Sequence, residues 1–256
     1  MGIRLITRTT RSMEVSEQGW KYFEGCKLAL EQIDLLEHEI SSDKAKEPSG
    51  TIRVASPEGL GSPFLLDVVV EFQLQYPNVR VDLILENQQT DLVSSGVDVS
   101  IRLATRLEDS TAIVHKLAET RLSLFASPDY LAARGTPTAL ARLSDHDCLV
   151  FGASRFGNAW PVQSDKGIVK FRHPWKLGTN QTSLYRDAIL RGMGIGLLPD
   201  IMAASWVNCG ALQRLELDVT FPDIGIYALY PSRNYQPQAA KLFIQLLKTS
   251  FAKWVI

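Results

Sequence analysis

Two kinds of group in this 256-residue sequence could do chemistry. One is a set of arginines near the start; the other is a set of hydroxyl, amide and carboxylate side chains placed where strands run into helices. Arg4, Arg8 and Arg11 stand in MGIRLITRTTRSMEV against a single acid, Glu14. Three like charges on so short a segment form either an ordinary solvated face or a phosphate contact, and the imbalance favours phosphate. In the second set, Ser56, Pro57 and Glu58 follow the run TIRVAS, Ser127 follows RLSLFAS, and Thr179, Asn180, Gln181 and Thr182 lead into a segment closed by Gly192. Ligands of open α/β sheets gather beyond the C-terminal strand ends, where helix N-termini offer unpaired N–H groups and a positive dipole end. Such turns suit a small anion. Ser127 and Thr182 have a second reading as helix N-caps, because Ser and Thr are favoured there whatever the function. Glu58 would repel an anion unless it points away or is paired; otherwise it speaks for an amine-bearing ligand. Asn180 and Gln181 are the polar pair best suited to ligand contact.

Catalytic readings are weaker. Gly192-Met193-Gly194-Ile195-Gly196 looks like a nucleotide-binding glycine loop, but it lies after a helix and before a strand, the reverse of the order that motif requires. Asp145, His146, Asp147 and Cys148 make a metal or nucleophile cluster only in composition, since neighbours on an extended segment point to opposite faces. His38, His115 and His173 have no evident partners in the sequence. The expectation is a protein that is not an enzyme and uses no metal and no cofactor.

These groups need elements to hold them. Residues 1–15 alternate apolar with Thr and Arg, which predicts a small β-hairpin. From Ser16, a candidate N-cap, apolar residues recur at Trp20, Phe23, Cys26, Leu30, Ile33, Leu36 and Ile40, one stripe along a helix of about 25 residues. A lone helix cannot bury such a stripe, so it must pair, most simply with a second copy. SSDKAKEPSG, residues 41–50, is polar and ends in Pro and Gly, and marks a linker. Short β-branched runs at 51–56, 79–85, 97–103, 121–127, 147–152, 194–199 and 224–231 then alternate with helical segments, which predicts a mostly parallel sheet covered by helices. Ser62-Pro63 is read as the start of a helix over 63–76, and Ser127-Pro128 as the start of one closed by Gly135. Two more helices are expected over about 182–191 and 237–251.

Composition sets the frame. With 45% hydrophobic and 21% charged residues and a net charge of −1, the chain is ordinary for a globular protein and unlike one that coats nucleic acid. No apolar run approaches a membrane span and no signal peptide is evident, so a cytoplasmic protein with no membrane partner is expected. Three scattered cysteines, Cys26, Cys148 and Cys209, read as free thiols.

At this point the residues stop being generic. RLITRTTRSMEVSEQGWKYFEGC resembles the wing hairpin and linker-helix start of LysR-type transcriptional regulators. The likeness continues in the same order through PSGTIRVASPEGLG, FQLQYPNVRVDLILENQQTDLVSSGVDVSIRLA, RLSLFASPDYLAARGTP and GMGIGLLPD. Asp91 to Arg102, as D-L-V-x-x-G-x-D-x-x-I-R, is its most specific block.

The resemblance implies a DNA-binding winged helix-turn-helix, a dimer-forming linker helix, and an α/β effector domain of two lobes, similar to type II periplasmic binding proteins. Residues 1–15 would be a remnant of the wing and 16–45 the linker helix. The effector domain would span 51–256, with lobe I at 51–122 plus 232–256 and lobe II at 123–231. The named turns would line the cleft between the lobes, with Arg102 at its floor, and an organic acid would be a common type of effector. Arg102 either contacts that ligand or pairs with a neighbouring carboxylate and braces the lobe. Wing arginines position a protein on the DNA backbone without reading most of the sequence. The recognition helix is not among these residues, which suggests a truncated product or gene-call artefact and makes DNA binding by this chain alone doubtful. The expected assembly is a homodimer or homotetramer. Alternatives are a free solute-binding protein of the periplasmic type, or a truncated partner that interferes with an intact regulator.

Overall fold

The computed structural model describes residues 4–8, 13–40, 47–87, 96–105, 112–152, 159–231 and 237–254. It forms two compact units: Met1–Pro48 with Arg233–Gln238, and Ser49–Ser232 with Ala239–Ile256.

In the first unit, strands β1 (Ile6–Arg8) and β2 (Met13–Val15) pair antiparallel, as the alternation of β-branched and polar residues predicts. Helix α1 (Glu17–Ile40) follows. Ser16 is its N-cap: the hydroxyl accepts from the Gly19 N–H at 3.0 Å and donates to the Arg4 carbonyl at 2.8 Å, tying hairpin to helix. Gly19 has no room for a side chain, since a Cβ would collide with the Leu5 carbonyl and lie 2.7 Å from Val15. Trp20 and Phe23 meet edge to face at 6.0 Å on the outer surface, and both are more than half exposed, as are Leu30 and Ile33. The side chains of Leu36 and Ile40, on the same expected stripe, lie outside the described residues.

The second unit is built on a seven-stranded sheet. Strands β3 (Gly50–Ser56), β4 (Val79–Leu85) and β5 (Val99–Ala104) lie parallel, with β3 in the middle. The remainder corrects the expectation of a mostly parallel sheet. Strand β13 (Asp223–Tyr230) runs antiparallel between β5 and the long β6 (Ile113–Ala126), while β11 (Gly196–Pro199) and β12 (Gln213–Leu215) pair antiparallel with the end of β6. The sequence reading begins β6 only at residue 121 because charged residues interrupt its first half. In the fold the charged Glu119 and Arg121 occupy exposed positions that alternate with the inward-facing Ala118, Thr120 and Leu122, and Lys116 is exposed beyond a register shift against β13.

A helical turn, α2 (Glu58–Leu60), opens the chain after β3, followed by a wide π-helical turn (Gly61–Leu65) and α3 (Leu66–Gln75). The predicted start at Ser62-Pro63 is therefore about five residues late. Proline has no N–H for the regular ladder, and the Leu66 N–H reaches back to the Gly61 carbonyl, so the interruption is absorbed as a π turn. Ser127 does cap α4 (Pro128–Arg134), accepting from the Tyr130 N–H, and Gly135 ends it at φ +83°. A hairpin of β8 (Ala159–Ser164) and β9 (Gly167–Arg172) escaped the sequence reading. Pro161 sits in it, which only an edge strand tolerates.

Two cores result. On one side α3 and α7 (Gln238–Trp254) cover β3, β4, β5 and part of β13, with Phe72 edge-on to Phe243 at 5.1 Å and Leu247 and Phe251 buried beside them. On the other, Leu124, Leu143, Cys148 and Trp160 form one cluster. Phe125, Leu149, Tyr185 and Ile189 form another under helices α5 (Thr182–Leu190) and α6 (Asp200–Asn208). Strands β6 and β13 span both sides.

Candidate effector site

The three turns singled out in the sequence end up in different company. Ser56 closes β3 beside Leu85 and is buried, its hydroxyl donating to the Pro57 carbonyl at 3.3 Å. Pro57 precedes α2, and from α2 the Glu58 carboxylate reaches the start of α5, 124 residues later. It accepts from the Thr182 N–H at 2.9 Å. Gln181, the α5 N-cap residue, makes no side-chain cap bond, so a distant carboxylate supplies what a local cap usually does. Burial on its own pushes the Glu58 carboxyl up, but the Ser183 hydroxyl, the Thr182 and Ser183 amides and the Asn87 side chain together hold it below the ordinary carboxylate range. The charge is thus paired with the positive end of α5.

Asn87 completes the junction. Its Nδ2 donates to the Asn180 carbonyl at 3.0 Å and more weakly to Glu58 at 3.4 Å, and its Oδ1 accepts from the Thr182 hydroxyl and the Glu58 N–H, both at 3.3 Å. Sequence reading missed Asn87, although its position just past β4 puts it at the same sheet end as Ser56, two residues beyond that strand's pairing with β3. Gly59 fits tightly here: a Cβ would lie 2.6 Å from the Met202 sulfur and 2.9 Å from Thr182 Cγ2.

The other candidates are placed as follows. Strand β10 (Leu177–Thr179) pairs parallel with β7 (Leu149–Phe151), and the Thr179 hydroxyl accepts from the Gln181 N–H at 3.1 Å. The side chains of Asn180 and Gln181 are exposed. Arg102 lies on β5 opposite Tyr227, half-buried, with Nε 3.4 Å from the Ser100 hydroxyl. Ser127 is buried, and its hydroxyl serves the α4 N-terminus and abuts Gly192 rather than the Glu58 junction. Arg4 is exposed; the Arg8 side chain and all of Arg11 lie outside the described residues.

The His146 neighbourhood does not converge. The Tyr130 hydroxyl sits 3.2 Å from His146 Nδ1, Asp147 pairs with Lys176 at 3.1 Å, and Asp145 faces Arg142 at 3.5 Å. Cys148 is buried, which pushes its thiol up to about 12 and away from the reactive thiolate. No metal-binding group of His, Cys, Asp and Glu occurs among the described residues. The glycines of the 192–196 loop serve packing. Gly192 ends α5 at φ +72°, a Cβ on Gly194 would strike the Asp147 carbonyl, and Gly196 lies against Ile189 and the Tyr185 hydroxyl.

Comparison with known proteins fixes the family. The LysR substrate binding domain matches residues 45–252. The transcriptional regulator PtxR of Pseudomonas aeruginosa is 31% identical over 252 residues, covering 97% of this chain and 79% of that protein. PgrR of Escherichia coli is 30% identical over 251 residues, covering 97% and 83%. Among solved structures, the LysR-type regulator CrgA from Neisseria meningitidis superposes with a TM-score of 0.73 at 26% identity, covering 98% of this chain and 84% of that one. The CrgA regulatory domain alone is matched over its whole length with a TM-score of 0.72 and 26% identity, covering 80% of this chain. The second unit therefore has the type II periplasmic-binding-protein-like effector fold, and the matched relatives are regulators rather than free solute-binding proteins or enzymes. This chain belongs to the LysR family of helix-turn-helix transcriptional regulators and carries that family's effector-binding domain.

Proposed function

We propose that the effector of this regulator is a small organic acid, held between lobe I (51–122 and 232–256) and lobe II (123–231). It is bound by Ser56, Pro57, Arg102, Thr179, Asn180 and Gln181, with Glu58 bordering the site and giving way to the acid at α5, while Ser127 keeps to its helix cap. The observation that supports this reading is the junction of Glu58, Asn87 and Thr182, where turns on the two sides of the domain meet at the start of α5. The backbone N–H groups and helix dipole that Glu58 occupies there favour negative charge, and the exposed Asn180 and Gln181 amides supply orientation. Arg4, Arg8 and Arg11 act on the DNA backbone, which positions the protein without specifying sequence. The exposed Trp20, Phe23, Leu30 and Ile33 of α1 pair with a second copy, giving a homo-oligomer. The regulator works in the cytoplasm and performs no catalysis; no described helix is long and apolar enough to cross a membrane.

A thermal-shift screen of the chain against small aliphatic acids, aromatic acids and amines tests this. A ligand that binds only the folded state at a hundredfold excess over its Kd adds about 2.7 kcal/mol of stability. The expected result is a rise in Tm with one class of acid that is lost in Ser56→Ala and Asn180→Ala. A rise with amines alone would overturn the acid assignment.

A further inference from the structure

We infer that Glu58 is a latch: its carboxylate, with Asn87 beside it, holds the two lobes shut across the effector cleft when no effector is bound. The inference rests on the two-lobed sensing reading above, yet it concerns the ligand-free protein. Three contacts cross the junction through two side chains from one side of the domain, and a fourth joins those two side chains. Glu58 takes the Thr182 amide at 2.9 Å, Asn87 takes the Thr182 hydroxyl at 3.3 Å, Asn87 gives to the Asn180 carbonyl at 3.0 Å, and Asn87 steadies Glu58 at 3.4 Å.

Three features separate a latch from an incidental surface contact. First, it carries the N-terminus of α5, which has no side-chain cap of its own, so opening leaves the Thr182 amide to water and the Glu58 charge without the dipole. Second, the bond to Glu58 is charge-assisted and held within a network, which makes it stronger than a neutral bond. Third, the surfaces beneath it are closely fitted, a Cβ on Gly59 falling 2.6 Å from the Met202 sulfur and 2.9 Å from Thr182 Cγ2. Apolar closeness and polar bonding thus act on the same few residues.

A latch of this kind taxes effector affinity. If a ligand enters only the open form, its apparent Kd is the intrinsic one divided by the open fraction. An effector that offers the α5 amides an acid group of its own replaces Glu58 there, so opening need not leave them unpaired.

The test is made on the full chain without ligand, with Cys26→Ser and Cys209→Ser as background and spin labels at the exposed positions Lys170 and Lys241. Distance distributions and amide exchange of Thr182 and Ser183 are compared for the parent, Glu58→Ala, Glu58→Gln, Asn87→Ala and Gly59→Leu. Expected are a longer or broader distance and exchange about tenfold or more faster at Thr182 in Glu58→Ala, with a smaller change in Glu58→Gln. Gly59→Leu, which removes no hydrogen-bonding group, opens the lobes as a wedge. It keeps the inference testable with Asn87→Ala should Glu58→Ala fail to fold. Parent-like distances and exchange in Glu58→Ala and Asn87→Ala overturn the latch. Opening by Gly59→Leu but not by Glu58→Ala assigns closure to packing and equally overturns it. Neither outcome touches the sensing reading, which is decided by ligand-dependent stabilisation.

Discussion

Replacing Tyr185 with Phe removes one oxygen from a buried side chain that bridges two strands. The ring is 1% exposed, and its hydroxyl donates to the Leu149 carbonyl at 3.1 Å while accepting from the Leu197 N–H at 2.9 Å. Strands β7 and β11 begin a parallel pairing just before this point, where Ile195 gives its N–H to the Asp147 carbonyl and Leu149 gives its N–H to the Ile195 carbonyl. The next ladder bond would join the Leu197 N–H to the Leu149 carbonyl, and the hydroxyl is inserted between those two groups. In Tyr185→Phe the ring still fills the gap, so the strands cannot close on each other and both backbone groups lose their partner. Two lost hydrogen bonds at about 1 to 1.5 kcal/mol each give about 2 to 3 kcal/mol. For a chain of this length that corresponds to a fall of about 5 to 10 °C in Tm. Urea unfolding of the parent and the variant measures it as a shift in midpoint at unchanged slope. A loss below about 0.5 kcal/mol would refute the bridging role and would mean that the strands re-pair or that water replaces the hydroxyl.

Three further outcomes follow from named contacts. Gly19→Ala forces a methyl group against the Leu5 carbonyl and Val15, so it should detach the β1–β2 hairpin from α1, read as faster amide exchange at Ser16 with the stability of the second unit unchanged. Of the thiols, Cys209 is exposed and Cys148 is buried with its thiol pushed up, so a thiol reagent at pH 8 should modify Cys209 rapidly and Cys148 only on unfolding; equal rates would contradict this. His173 is 8% exposed with its ring centroid 3.9 Å from that of Trp160, Nδ1 is 3.0 Å from the Pro174 carbonyl, and Nε2 has no partner among the described residues. Burial holds its pKa below 6.5, so the unfolded chain binds the proton more readily. Its contribution is therefore complete above pH 6.5 and is lost as pH falls below that value, and His173→Phe should flatten this part of the stability profile.

Much of this was legible because local physics and long-range structure agree. Ser16 and Ser127 are caps in sequence and in structure, and Gly135 and Gly192 end their helices with positive φ as expected. The sheet was misjudged where the rules conflict. Alternate charges hid the first half of β6, Pro161 disguised β8, and Pro63 resembled a helix start although the helix had already begun at Glu58. The candidate site was legible in part. Strand-end position pointed to Ser56, Glu58 and Asn180, whereas Asn87 and the pairing of Glu58 with Thr182 depend on residues 29 and 124 positions from Glu58, for which local patterns hold no information. Ser127 shows the limit of the same rule, since a strand-to-helix turn also needs a cap for purely structural reasons.

The effector domain is proposed to bind a small acid at the turns around Glu58 and Asn180. Calorimetric titration of the acid found by thermal shift decides it, using the parent, Ser56→Ala, Asn180→Ala and, as a control outside the effector domain, Arg4→Ala. One molecule is expected to bind per chain, with affinity weakened by about tenfold or more in the two site variants and unchanged in Arg4→Ala, tenfold being about 1.4 kcal/mol of binding free energy. Parent-like affinity in both site variants would contradict it and place the sensing site elsewhere in the domain.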